Sequence, residues 1–350
     1  MTAVLGSPQL TPSMARRKGV WAAAAMRFRT DHVGMASLVI VAIFLLVVLA
    51  SGLGLVARDW QAERGVPDAP PTFLGPAAKT ESVAVAAPSG PNVDISAVDP
   101  LAPRYAEWAE AAKKYQTQIV VKADTLPFGG DRLGRDVLAK AIKGAQVSIL
   151  VGVSAAVLAT LIGTLLGAVA GFFGGKAGDL LEWVYNVFTA IPSILLIFAF
   201  AAVFGRGIGS VVLILGLAGW TGIYRLVRAE FIKHAVRDYV RSAEAIGASN
   251  ASRMFRHILP NVSHVVLVQL SIHVVGFIKS EVILSYLGLG VGVDQVSWGT
   301  MLSEAQSELI LGHWWQLAAA TIFMAVFVTA FSLMTDALRD ALDPKLRGLE

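Results

Sequence analysis

The chain has 350 residues, of which 55% are hydrophobic and only 15% charged, against about 25% charged in an average soluble domain. With a mean hydropathy of +0.63, this composition excludes a disordered chain, a disulfide scaffold and an ordinary cytosolic enzyme, and indicates an all-α polytopic membrane protein. Cysteine is absent, which removes thiolate metal sites, thiol catalysis and disulfides, and the formal charge of +4 has to be read by its location.

Residues 1–32 form a basic N-terminal segment with Arg16, Arg17, Lys18, Arg27 and Arg29 against one acid, Asp31. The first uncharged apolar run, 33–57, is long enough to cross the bilayer as a helix. It is too long and too far from the N-terminus for a cleaved signal peptide. Residues 58–146 follow as a long region with balanced charge, rich in Pro, Ala and Ser through Pro103 and expected to be mostly irregular there. A short surface helix is expected over 105–115, with Glu110 placed to pair with Lys114. Five further spans are expected at 147–173, 183–204 (with Pro192 inside it), 208–224, 262–289 and 314–334, six in all. The segment 341–350 is a short tail.

Sidedness follows from Lys and Arg in the short flanks. The loop 225–261 has seven basic residues against three acids, whereas 290–313 has no Lys or Arg and carries Asp294, Glu304 and Glu308. The N-terminal segment, the loop 225–261 and the C-terminal tail are therefore expected in the cytoplasm, and 58–146 and 290–313 outside.

The loop 225–261 is unusually long for a connection between spans. From Asp238 it offers helix formers, a Gly-Ala-Ser-Asn break at Gly247–Asn250, and a second helical run to Pro260. Gly247 tolerates positive φ or a close approach by another chain, and Ser249 or Asn250 can cap the second helix. The plain reading of a basic loop is a topology signal. A helix–turn–helix element of this length is better read as a docking surface.

This loop resembles the EAA loop of bacterial ABC importer permeases, with Arg241, Ser242 and Ala243 at its three-residue start, Gly247 four positions after the last of them, and Leu259 and Pro260 near its end. FRHILPN (255–261), LGRDVLAKAIKGAQVSILVG (133–152), AIPSILL (190–196), SEVILSYLGLGV (280–291), SWGTML (297–302) and DALRDALDPKLR (336–347) are similar to the dipeptide/oligopeptide branch, and to its C-type subunit in particular. The resemblance runs from about residue 126 to the C-terminus. It departs from the family at Arg241, which stands in place of Glu with Glu244 three residues on, at His257, at Lys279, and in the length of 58–125.

The resemblance implies a type I importer permease domain over 147–340. It implies ATPase coupling through Arg241, Ser242, Ala243, Glu244, Gly247, Ala248, Ser249, Leu259 and Pro260. External or permease–permease contacts are assigned to Gly134, Arg135, Asp136, Glu281 and Trp298. The implied partners are a second, similar permease in a heterodimer, two ABC ATPases, a periplasmic binding protein, membrane lipids and a peptide substrate, in the bacterial inner membrane. Nickel chelates, glutathione and antimicrobial peptides are alternative cargoes of related importers. ATP and Mg would sit on the ATPases. This subunit is expected to be non-catalytic and to bind no cofactor, metal or nucleic acid.

Several near-motifs carry less. Gly174-Gly175-Lys176-Ala177 lacks the hydroxyl residue and the upstream glycine of a phosphate loop. Gly163, Gly167 and Gly171 form overlapping small-xxx-small pairs that favour close helix packing. His264 and His273 have no further ligand at helical spacing and are read as packed or hydrogen-bonded. An ion-coupled secondary transporter would need paired inverted halves and a buried mid-span acid, and neither is visible. A membrane scaffold would tolerate scrambling of the loop.

Overall fold

The computed structural model describes residues 20–76, 99–114 and 122–342. Arg16, Arg17, Lys18, Tyr115 and the tail beyond Leu342 lie outside the described residues, as does the side chain of Lys114 expected to pair with Glu110. The described residues are all-helical, with four isolated backbone bridges and no strand.

In chain order the helices are α1 (Val20–Thr30), α2 (His32–Gly52), α3 (Tyr105–Lys114), α4 (Val137–Phe173), α5 (Gly175–Ala190), α6 (Ser193–Phe204), α7 (Ile208–Gly219), α8 (Thr221–Ala235), α9 (Asp238–Ala245), the single turn α10 (Asn250–Ser252), α11 (Leu259–Tyr286), α12 (Trp298–Ile310) and α13 (Trp315–Leu342). A π-helical turn, Arg253–Ile258, joins α10 to α11. Four stretches are long and apolar enough to cross a membrane: α2, α4, Asn250–Tyr286 and α13. Two bent pairs, α5 with α6 and α7 with α8, bring the number to six if each counts as one span.

The bends have local causes. The run expected as one span over 183–204 is two helices meeting at 91°. Pro192 has no amide hydrogen to donate, and its ring pushes Ile191 out of the helical region, to φ −94° and ψ 130°. The second pair bends by 43° at Trp220. There Gly219 lies so close to the Phe277 ring that a Cβ would approach it to 2.3 Å. The helix that continues past 224 is α8, so the loop expected to begin at 225 opens with eleven further helical residues. At the other spans the helices run earlier or later than the apolar composition alone indicates. α4 starts at Val137, ten residues before the apolar run, because the Asp136 carboxylate caps it by accepting from the amides of Leu138 (2.8 Å) and Ala139 (3.3 Å).

The chain forms two compact units. The first comprises Met1–Leu46, Ile149–Glu281 and Ala325–Glu350, and the second Val47–Ser148 and Val282–Met324. In the first unit, Ile223, Val227 and Phe231 of α8 share a core with Ala168, Val240, Met254, Ile258 and Val262. The α4 glycines set how closely α8 approaches. A Cβ on Gly163, Gly167 or Gly171 would lie 2.6, 2.7 and 2.5 Å from the carbonyl oxygens of Trp220, Tyr224 and Arg228 respectively. From the α8 cap Trp220 onward, one carbonyl per turn therefore rests on one glycine per turn of α4, as the small-xxx-small spacing predicts.

In the second unit the segments 58–76 and 122–136 are irregular yet closely tied. Gly65 donates to the Gly134 carbonyl (2.9 Å), Val66 to Ala123 (3.0 Å), Asp68 to Asp131 (2.9 Å) and Gly130 to Ala69 (2.7 Å). The stretch 58–76 is thus irregular, as expected, and its amides find partners in a segment more than fifty residues away.

Candidate functional site

The helix–turn–helix element is built as follows. α8 ends at Ala235, Arg237 is extended, and α9 begins at Asp238, whose carboxylate suits the positive end of the helix dipole. Val240 and Ala243, three apart, turn inward and are buried, while Arg241, Ser242 and Glu244 are exposed. The helix closes with Ala248 donating to Ala243 (3.0 Å) and Gly247 donating to Glu244 (2.9 Å). This Schellman pair requires a residue with positive φ at position 247, and Gly247 has φ +86° with open space where a side chain would go. Ser249 then caps α10 by accepting from the Ser252 amide (3.3 Å).

Arg253 fixes the second limb to the first. Its guanidinium bonds Glu244 at 2.7 Å, lies 3.4 Å from the Asn250 Oδ1 and sits over the Phe172 ring at 5.1 Å. The π turn follows, with the Leu259 amide reaching back five residues to the Met254 carbonyl. Pro260 is exposed and second in α11, where its ring would crowd the Arg256 carbonyl in a regular α-turn. Winding the preceding turn more widely relieves that crowding.

Of the nine residues assigned to coupling, Arg241, Ser242, Glu244, Gly247, Ser249 and Pro260 are exposed, and Ala248 and Leu259 are half-buried. Ala243 is 4% exposed and faces the chain's own interior, where its small size serves packing inside the element. Two apolar residues on the exposed side escape a motif-based reading. Ile246 is 86% exposed beside Gly247, and Phe255 is exposed on the π turn. The available signal is their register: Phe255 falls off the inward i, i+4 pair Met254 and Ile258.

The second set of assigned residues behaves differently. Gly134 has φ +76°, and a Cβ there would lie 2.0 Å from the Gly65 carbonyl oxygen. Arg135 is mostly buried; it bridges Asp131 at 2.6 Å, approaches Glu304 at 3.6 Å and lies over the Trp60 ring at 5.8 Å. Asp136 is the α4 cap described above. Trp298 is fully buried, with its indole N–H on the Ala141 carbonyl (3.2 Å) and its amide on the Ser148 hydroxyl (3.2 Å). Glu281 is fully buried as well. All five are engaged within the chain.

Their neighbourhood holds an ionic cluster that no motif announces. Lys140, with no exposed surface, donates to Asp131 (2.7 Å), Glu304 (2.5 Å) and the Gln316 Oε1 (3.0 Å). Burial alone would raise the Asp131 carboxyl, but Lys140, the Arg135 amide and the Arg135 guanidinium outweigh it and hold it below the usual range. Glu308 is pushed up by burial, against the Arg132 amide and Lys140. One of its carboxylate oxygens accepts from the Arg132 amide (3.2 Å), and the other is buried without a hydrogen bond among the described residues. No group of His, Asp or Glu among the described residues is arranged to hold a metal ion. The cluster can lock the second unit. It offers no nucleophile with a base.

Comparison with known proteins adds the following. Residues 163–348 match the family described as binding-protein-dependent transport system inner membrane component. The oligopeptide transport system permease protein of Bacillus subtilis is 36% identical over 238 residues, 67% of this chain and 78% of its own length. The dipeptide transport system permease protein of the same organism is 36% identical over 220 residues, 63% of this chain and 69% of its own. The glutathione transport system permease protein of Escherichia coli is 38% identical over 222 residues, covering 63% and 73%.

Proposed function

Since the chain belongs to the family of binding-protein-dependent transport system inner membrane components, we propose that it is a permease subunit of an ATP-driven importer whose cargo is a di- or oligopeptide. It forms half of the translocation pathway and pairs with a second, similar permease. Two ATPases carry ATP and Mg and perform the hydrolysis. A binding protein outside the membrane delivers the peptide. This subunit performs no chemistry and binds no cofactor. The N-terminal segment, the element 225–261 and the C-terminal tail face the ATPases, and the second unit's segments 58–136 and 290–313 face the binding protein.

The observation that carries this reading is the helix–turn–helix element. Its inner side is keyed into the first unit by Val240 and Ala243, and its outer side presents Arg241, Ser242, Glu244 and Ile246 around the open Gly247. A push on α9 reaches α8 and α11 through the core of Phe231, Met254 and Ile258, and reaches α4 through the glycine–carbonyl contacts. Packed contacts of this kind move as a body rather than deform. Alternating access then follows from ATPase closure.

The test is peptide uptake by Gly247→Asp. The variant is expected to reach the membrane with its partners and to transport at least about tenfold less, a change of ~1.4 kcal/mol in coupling. Full uptake would remove the docking role. Uptake that survives ATP depletion but stops when the ion gradient collapses would replace the importer by a secondary transporter. The ligand of the partner binding protein separates peptide from glutathione as cargo.

A further inference from the structure

A cavity in the first unit lies outside everything used above. It measures 450 Å³, within the roughly 300–1,000 Å³ of small-molecule sites. Three helices line it: α1 with Ala25, Phe28 and Arg29, α2 with Met35 and Leu38, and the end of α13 with Leu338. The geometry has a local cause. Gly34 of α2 lies so close to α13 that a Cβ would meet the Ala337 Cβ at 2.6 Å. The next residue on each helix, Met35 and Leu338, faces the cavity. At Asp31 the chain leaves the helical path, and the Asp31 carboxylate caps α2 through the amides of Val33 (2.9 Å) and Gly34 (3.1 Å). The short helix α1 therefore stands apart from α2, and the space between them stays open.

The lining is apolar except for one guanidinium. Such a space offers too few polar partners to hold ordered water, which takes two to four. It lies where the apolar run of α2 begins and where α13 ends, the depth at which hydrocarbon gives way to headgroups on the side proposed above to be cytoplasmic. Arg29 is exposed, and Arg27 stands two residues before it on α1. Arg339, Asp336 and Asp340 are the exposed charges on the facing end of α13. The sequence brings Arg16, Arg17 and Lys18 into the same basic segment, while its one acid, Asp31, is engaged in capping α2. Basic segments at the end of a span attract anionic headgroups, and an apolar cavity beside one takes an alkyl chain.

We propose that the cavity between α1, α2 and α13 holds an acyl chain of an anionic glycerophospholipid of the inner leaflet, with the phosphate against Arg29. The assignment of leaflet rests on the orientation proposed above. The site ties α1 to the end of α13, two elements far apart in the sequence.

The test replaces Ala25 with a photo-crosslinking amino acid in the full chain and irradiates intact membranes. The adduct is then identified by mass spectrometry. A phosphatidylglycerol or cardiolipin adduct is expected. An adduct with residues 1–19 or 343–350 of this chain, or with another subunit, would overturn the proposal. In parallel, the chain is purified with its accompanying subunits into nanodiscs of equal phosphatidylglycerol and phosphatidylcholine, and retained lipid is measured. Arg29→Gln is expected to reduce phosphatidylglycerol enrichment by roughly fivefold, the scale of one basic residue at an anionic surface. Ala25→Trp should lose the retained lipid, and equal retention of both lipids by the unaltered chain would exclude an anionic site. Should Ala25→Trp fail to fold, the crosslink and the exposed Arg29→Gln still decide. Uptake is not the readout, so failure here leaves the transport reading standing.

Discussion

Two stretches of this chain carry family-like motifs of equal clarity, and the fold uses them in opposite ways. Around Gly247, most of the motif residues stand on the surface with their side chains or open space directed away from the chain. Around Gly134, the motif residues are consumed internally, by a backbone contact, a helix cap and a buried ion cluster. A recurring residue pattern can therefore mark either a surface offered to a partner or a knot that holds the fold. Only burial and bonding tell the two apart.

The largest expected effect is at the knot. Lys140→Met takes the fully buried cation from Asp131 and Glu304 and leaves Asp131 with Arg135 alone, and the loss of one partner of a buried pair typically costs about 3–5 kcal/mol. The thermal midpoint of the purified complex should fall sharply, and an unchanged midpoint would show that the cluster is not a lock. Gly134→Ala forces a Cβ toward the Gly65 carbonyl and should cost roughly 3 kcal/mol, read as lost membrane-inserted protein.

Gly247→Asn makes the contrasting test at the surface. Asn accepts the left-handed conformation, so the fold should hold to within about 1 kcal/mol. Uptake should nonetheless fall, because a side chain now fills the open space. If Gly247→Asn unfolds the complex while Gly134→Ala does not, the contrast between the two regions is reversed.

A pH experiment sharpens the picture of the knot. The folded state holds the Glu308 proton more tightly than the unfolded chain does. Stability should therefore fall as pH rises from the ordinary carboxylate range through the raised value, and level off above it. Glu308→Gln should flatten that slope, and an identical slope in the variant would mean that other groups set it. The smallest effect belongs to Glu244→Gln. Its exposed carboxylate gives the Arg253 bridge a worth of about 0.5–1 kcal/mol, measurable by chemical denaturation of the complex.

What could be read from the residues depended on the range of the physics. The apolar spans and the helix–turn–helix element are local, set by runs of Val, Ile and Leu and by the Gly247 break. The glycine stripe of α4 was also legible, because its spacing alone states that something must come close. The 91° bend was not, since Pro192 within an apolar run is compatible with a kinked single helix as well as with two. Nor was the Lys140 cluster: Asp131, Glu304 and Gln316 are scattered over 185 residues of sequence, and their meeting depends on tertiary structure. Nor was the burial of Ala243, since smallness suits an interior as well as an interface.

The wide turn at Arg253–Ile258 has a consequence for the length of the chain. Hydrogen bonds that reach back five residues hold one residue more than an α-turn accommodates. Removing one residue there would let the turn rewind as ordinary helix with little change in its path. Because the wide turn absorbs its extra residue, everything from Leu259 onward would keep the face it now presents, whereas the same deletion within α11 would rotate that face by about 100°, the angle between successive residues. A single-residue deletion in this turn would thus leave the span in register, while one placed a turn later in α11 would keep the span's length and apolarity yet misalign every side chain beyond it.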